Sequence, residues 1–284
     1  GQLVFPWISG AYAAEDDPEL LKAFEWVNHW GIGGVVISIG TPHAYAAKLN
    51  ALQEWSDLPL LVTSDFENGG PGMRLNHSYA LPTLLPQGGG TSFPPTMAFG
   101  AVGEEEEVER FARITAREAR AVGVHLNFAP VLDVNSNPEN PIINLRAYSD
   151  DPQVVSDFGV AFINGIQDAG AIACAKHFPG HGDTYIDSHR DLPVVKRSKA
   201  DVWEIDLKPF REGIKAGVDV VMTSHIIYKS LDPDNPATFS KVILQQILRK
   251  ELGFKGVIIS DSMNMHALQK HYKPVDAAIA AISA

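Results

Sequence analysis

The sequence predicts an α/β protein: a TIM-like (β/α)8 barrel that lacks its last strand in this chain. Three observations carry that expectation. Seven apolar, β-branched runs of strand length alternate with amphipathic stretches of helix length. The runs are continuously apolar, as parallel strands covered on both faces are. Charged and imidazole side chains gather just after the C-terminal ends of many runs, where such a barrel builds its active site. A doubly wound sheet shares the alternation, but no Gly-x-Gly-x-x-Gly follows the first run.

The expected strands are residues 3–8, 34–39, 60–64, 126–131, 171–176, 218–223 and 257–260. A helix is expected over 18–30, with Leu20, Leu21, Phe24 and Val27 on one face. The segment 76–99 is rich in Pro, Gly and Thr and reads as an ordered loop. A long amphipathic helix over 105–122 opens with acidic residues, which suit the positive end of its dipole. Helices follow over 200–216 and 241–252, the latter with Ser240 as a plausible N-cap. Residues 276–284 read as the helix after the seventh strand. No eighth strand follows, so one barrel domain over 1–284 is expected to continue in a longer natural chain. The abrupt apolar opening, Gly1-Gln2-Leu3-Val4, suits a start downstream of a leader.

Composition narrows the partners. The 284 residues are 45% hydrophobic and 20% charged, ordinary for a globular chain. A net charge of -11 argues against nucleic acid and acidic membrane, which require Lys/Arg surfaces. A small neutral substrate fits better. Cys174 is the only cysteine, so neither an intrachain disulfide nor a Cys-based zinc site can form. No run approaches the ~20 apolar residues that span a bilayer.

The densest chemistry lies in Lys176-His177-Phe178-Pro179-Gly180-His181-Gly182-Asp183-Thr184-Tyr185-Ile186-Asp187-Ser188-His189, directly after the fifth strand. Asp65, Glu67 and Arg74 follow the third strand, and Asp133, Asn135 and Arg146 the fourth. Ser224-His225 ends the sixth, and Ser260-Asp261-Ser262-Met263-Asn264-Met265 the seventh. Carboxylates accept hydrogen bonds from sugar hydroxyls, while Lys, Arg and His donate to sugar oxygens. A metal is the rival, with His177, His181 and His189 as imidazole donors, but their spacing matches no common zinc motif and Lys176 would repel a cation. Asp261 stands one residue past a strand. It suits a nucleophile attacking an anomeric carbon with retention, and equally the N-cap of the following helix. In Asp187-Ser188-His189 the imidazole can both donate and accept a proton, and the carboxylate can fix its tautomer. Two solvent-facing loop residues without contact are the alternative.

These motifs, spread from Gln2 to the last residues, resemble glycoside hydrolase family 3, in its β-N-acetylglucosaminidase branch. The His-rich loop with its Asp-Ser-His is the feature that separates that branch from the family's β-glucosidases. The resemblance implies a (β/α)8 or related barrel that removes terminal β-linked N-acetylglucosamine with retention. It implies Asp261 as nucleophile, His189 as acid/base and Asp187 as its partner. It places Asp65, Arg146, Lys176 and His177 on sugar hydroxyls, and His225 and Met263 in the walls. It implies a carbohydrate substrate, no cofactor and no metal. It also implies a bacterial source, with cytoplasm and cell envelope both open. One motif departs from the pattern, with Asn68 where relatives often have Gly. A β-glucosidase, a glycoside phosphorylase, a zinc-dependent amidohydrolase barrel and a non-catalytic sugar-binding module are the competing readings.

Overall fold

The computed structural model describes residues 1–70 and 90–284. They form two compact units interleaved along the chain. The first is Gly1–Pro95, Glu109–Ala129 and Gly165–Ala173; the second is Thr96–Val108, Pro130–Asn164 and Cys174–Ala284.

The first unit holds β1 (Trp7–Ser9), β2 (Gly34–Ser38), β3 (Leu61–Ser64), β4 (Leu126–Asn127) and the first two residues of β5 (Ile172–Phe178). Each strand pairs parallel with the next, as in Trp7↔Val36, Gly34↔Leu61, Thr63↔Leu126 and Leu126↔Ile172. Helices α1 (Pro18–Asn28) and α2 (Pro42–Trp55) open alike. The Asp17 carboxylate accepts from the N–H groups of Glu19 and Leu20, and the Thr41 hydroxyl accepts from Ala44. Pro18 and Pro42 sit where a missing N–H costs nothing. Val27, Leu49 and Leu52 pack on Ile8, Val35, Ile37 and Val62 in one buried cluster. Each such side chain contributes roughly 1.5–3 kcal/mol relative to exposure.

The second unit holds α3 (Thr96–Val102), the rest of β5, β6 (Val194–Val195), β7 (Val220–Thr223), β8 (Ile227–Tyr228) and β9 (Val257–Ser260). β5 pairs parallel with β7, β7 with β9, and β6 with β8 in a separate ladder. The seven principal strands thus pair in chain order, the topology of a (β/α)8 barrel short of one strand. Ser240 caps the wide-turned helix Val242–Glu251, its hydroxyl accepting from the Ile243 N–H at 3.1 Å.

Four expectations are corrected. The first strand is not 3–8: Leu3 and Val4 are exposed, and pairing begins at the carbonyl of Pro6, which accepts from the Val36 N–H but has no N–H to give. The fourth is not 126–131: it ends at Asn127, where the Ala129 N–H turns back onto the Asn127 carbonyl, and Val131 rejoins only as a single bridge to Lys176. The loop expected over 76–99 ends early, because α3 starts at Thr96; its residues 76–89, and Arg74, lie outside the described residues. The helices α2 and Pro152–Asp168 stand where sequence reading assigned none.

Candidate active site

The second unit gathers most of the expected groups, and Asp133 organises the first of them. It is fully buried just past β4. Its Oδ1 accepts from the backbone N–H groups of His177 (3.2 Å) and His181 (2.7 Å), and its Oδ2 lies 2.6 Å from His177 Nδ1. Burial pushes its carboxyl up, but the charges of His177 and His181 and these hydrogen bonds outweigh that and hold it below the usual carboxylate range. With Nδ1–H directed to Asp133, His177 presents Nε2 toward the Arg146 guanidinium at 3.4 Å. Arg146, on the short turn Asn144–Arg146, also donates to the Ile142 carbonyl. Lys176 is buried on β5, its backbone bonded to Pro130 and Leu132.

The loop after β5 is stitched from within. Asn140 donates to the His181 carbonyl (2.8 Å) and to Thr184 Oγ1 (3.2 Å), and Asn137 donates to the Thr184 carbonyl. Gly182 is required by space: a Cβ there would stand 1.6 Å from the Val134 carbonyl oxygen. Arg197 reaches Asp206, Ser136 and Asp183 together. His181 is buried with Nδ1 against Thr184 Oγ1 and Nε2 against Ser188 Oγ, each at 2.9 Å. Burial drives its pKa down to about 4, with Asp133 opposing and the charges of His177 and Arg146 adding to the fall.

At the loop's crest the Asp187–His189 pair makes the contact its spacing suggests. Asp187 Oδ1 accepts from the His189 backbone N–H and lies 2.8 Å from His189 Nδ1. The His189 ring is 52% exposed, whereas the Asp187 side chain is 17% exposed. Burial pushes Asp187 up, and its bonds to His189 together with the charges of His189 and His181 more than reverse this. The carboxylate therefore stays ionised beside the imidazole.

Asp261 follows β9 and is half-buried. Its N–H donates to the Thr223 carbonyl, and its Oδ1 accepts from the Ser262 N–H at 2.7 Å. It is not the N-cap of the next helix, which begins at His266 behind Met265. Burial raises its pKa, but the charges of His177 and His225, the Ser262 N–H and Lys176 bring it below the ordinary range. His225 is buried, its Nε2–H donating to the Ser262 carbonyl (3.0 Å) and its Nδ1 2.8 Å from Thr238 Oγ1. The ring thus links the segment after Asp261 to Thr238. Met263 packs against the cluster of Phe239, Leu268 and Ala277.

Asp65 belongs to the first unit, half-buried at the end of β3, where its charge helps to raise the buried Tyr45 hydroxyl's pKa after burial itself. Nearby, Asn68 donates to the Pro94 carbonyl, a bond that Gly could not make. Among the described residues, no group of three or more His, Cys, Asp or Glu side chains could hold a metal ion. Sequence reading named Asp133, Thr184 and Ser188 without their roles and missed Asn140. The Asn137-Pro138-Glu139-Asn140-Pro141 run carried a usable signal, since Asx side chains beside prolines bond to nearby backbone.

The profile described as the glycosyl hydrolase family 3 N terminal domain matches residues 1–284. The chain is 36% identical over 283 residues to beta-hexosaminidase A of Pseudoalteromonas piscicida, covering 92% of this chain and 46% of that protein. It is 39% identical over 243 residues to a beta-hexosaminidase of Thiobacillus denitrificans, covering 82% and 64%. It superposes on a glycoside hydrolase family 3 beta-N-acetylglucosaminidase from a Paenibacillus species with a TM-score of 0.87 and 35% identity, covering 100% of this chain and 52% of that one. A beta-N-acetylhexosaminidase from Beutenbergia cavernae gives 0.84 at 28% identity, covering 99% and 82%. The chain therefore spans about half the length of the first relative and of the Paenibacillus structure.

Proposed function

This chain belongs to glycosyl hydrolase family 3, and we propose that it is a retaining exo-glycosidase releasing terminal β-linked N-acetylglucosamine from chitooligosaccharides or peptidoglycan fragments. In the first step an Asp261 oxygen bonds to the anomeric carbon. The glycosidic C–O bond breaks, and the leaving oxygen takes a proton from the His189 imidazolium. In the second step His189 takes a proton from water. The water oxygen bonds to the anomeric carbon, and Asp261 departs as carboxylate, so the β configuration is kept.

The observation that carries this reading is the 2.8 Å contact between His189 Nδ1 and Asp187 Oδ1. It sets one tautomer, and the ionised Asp187 stabilises the imidazolium that the first step consumes and the second restores. Asp261, ionised below the ordinary carboxylate range, suits the nucleophile. Lys176, Arg146 and His177 are proposed to bind sugar oxygens, His177 in the tautomer that Asp133 imposes. The assignment of Asp65 to a sugar hydroxyl rests on the resemblance.

A second reading rests on the group paired with Asp187 being an imidazole and not a second carboxylate. An uncharged imidazole repels an incoming phosphate less than a carboxylate would, which favours phosphorolysis. The test is turnover of an aryl β-N-acetylglucosaminide beside the matching β-glucoside, followed by NMR, in phosphate and in a non-phosphate buffer. First-formed β-N-acetylglucosamine supports the proposal. First-formed α product, or preference for glucoside, overturns it, and sugar 1-phosphate selects the second reading.

A further inference from the structure

We propose that His181 and Ser188 are positioning residues for the acid–base pair, the buried imidazole holding the Ser188 hydroxyl and with it the backbone between Asp187 and His189. This rests on the glycosidase reading given above and extends it to two groups outside the sugar-binding and reacting set.

The hydrogens can be assigned one by one. Thr184 has a single hydroxyl proton, and its Oγ1 donates to the His181 carbonyl at 3.0 Å. Toward His181 Nδ1 that oxygen must therefore accept, so Nδ1 carries the ring proton. Burial keeps His181 neutral, so Nε2 has a lone pair, and its partner at 2.9 Å is the Ser188 hydroxyl. Ser188 therefore donates inward. Its carbonyl meanwhile accepts from the Ala267 N–H at 3.2 Å, on the short helix His266–Gln269 that follows Asp261 in sequence. One residue thus ties the acid–base loop both to the His-rich wall and to the chain segment downstream of the nucleophile.

The need for such a tie follows from exposure. His181, Thr184 and Ser188 are each at most 2% exposed, whereas the His189 ring is 52% exposed. The exposed imidazole and the Asp187 that contacts it both take their direction from the backbone they share. A displacement of about 1 Å at a reacting group can cost ~100-fold in rate.

The test compares wild type with Ser188→Ala, Ser188→Thr, His181→Gln and His189→Ala on two probes. Diacetylchitobiose has a poor leaving group that needs a proton; dinitrophenyl β-N-acetylglucosaminide has a leaving group that does not. Ser188→Ala and His181→Gln are expected to lose roughly 10- to 100-fold in kcat/KM, which reports the first step alone, on chitobiose and at least about tenfold less on the activated probe. Ser188→Thr, which keeps the hydroxyl, restores most of the chitobiose rate. Turnover of the activated probe reports that each variant is folded. Equal losses on both probes, or no loss for Ser188→Ala, overturn the positioning role. If His189→Ala is selective against chitobiose while Ser188→Ala is not, only this inference fails. If wild type turns over neither probe, or His189→Ala loses both equally, the acid–base reading fails and takes this one with it.

Discussion

Between pH 7 and pH 5, His181 alone is expected to cost the fold about 2 kcal/mol, following ~1.36 kcal/mol per unit of pKa difference. The folded-state value is about 4, against an ordinary 6.5, because burial disfavours the charged ring. The unfolded chain therefore binds a proton that the folded chain refuses throughout that interval. This contribution is fully present above pH 6.5, falls away as pH drops toward about 4, and changes no further below that. The whole interval of 2.5 units corresponds to about 3 kcal/mol, and pH 5 lies 1.5 units into it. The perturbation is His181→Gln, which keeps an acceptor near Ser188 but cannot titrate. At pH 7 the variant is expected to be less stable by about 1–2 kcal/mol for imperfect hydrogen bonds. At pH 5 that deficit should vanish, because only wild type has lost stability by charging the ring. Urea unfolding of both proteins at pH 7, 6 and 5 reads this as converging midpoints. A constant gap would show that His181 titrates in the fold as it does unfolded, and a gap that widens toward pH 5 would show that it is already charged in the fold; either result refutes the neutral ring on which the assignment of Ser188 as donor rests.

Three further outcomes are expected. Asp261→Asn removes the proposed nucleophile and should lower kcat on the order of 10⁴-fold while leaving thermal unfolding within a few degrees, as followed by circular dichroism. His189→Ala should lose ~10²- to 10⁴-fold in kcat/KM on chitobiose and far less on the dinitrophenyl probe, measured by initial rates of leaving-group release at low substrate. Asp133→Ala strips two backbone N–H groups and His177 Nδ1 of their shared buried acceptor, so a loss of roughly 3–5 kcal/mol is expected in urea unfolding. Stability within 1 kcal/mol of wild type would mean that water or a neighbour replaces that carboxylate.

What the sequence made legible follows the reach of each interaction. Strand runs such as 34–38 and 220–223 could be read because burial on both faces demands continuous apolar residues. Asp187–His189 could be read because both members lie within two residues. The β1 boundary was misplaced where a proline removed one ladder hydrogen bond inside an otherwise apolar run, and the β4 boundary where the Ala129 N–H turns onto the Asn127 carbonyl. The partners of His177 and His181 stayed hidden for a different reason. Asp133 is 44 residues from His177, and Asn140 is 41 from His181, so only the folded chain brings them together. Ser188 lay in plain sight within Asp187-Ser188-His189, yet its role depends on an imidazole seven residues back whose ring had to be turned inward.

The division of charge in the second unit gives these contacts a common logic. Asp133 and Asp261 are both held ionised against burial, each by facing imidazoles or cations. His181 and His225 are both pushed toward the neutral ring by burial, and each spends its two nitrogens on neighbouring chain segments. In these four groups the interior has chosen one protonation state and built hydrogen bonds around it. His189 differs, with a ring open to solvent and a partner of its own, the ionised Asp187. A two-step displacement needs one group that changes protonation twice while its surroundings do not. Burying His189 as His181 is buried would cost it the imidazolium form that the first step uses. Exposure is thus part of the chemistry proposed for it, and the fixed groups behind the loop supply the order that an exposed ring lacks.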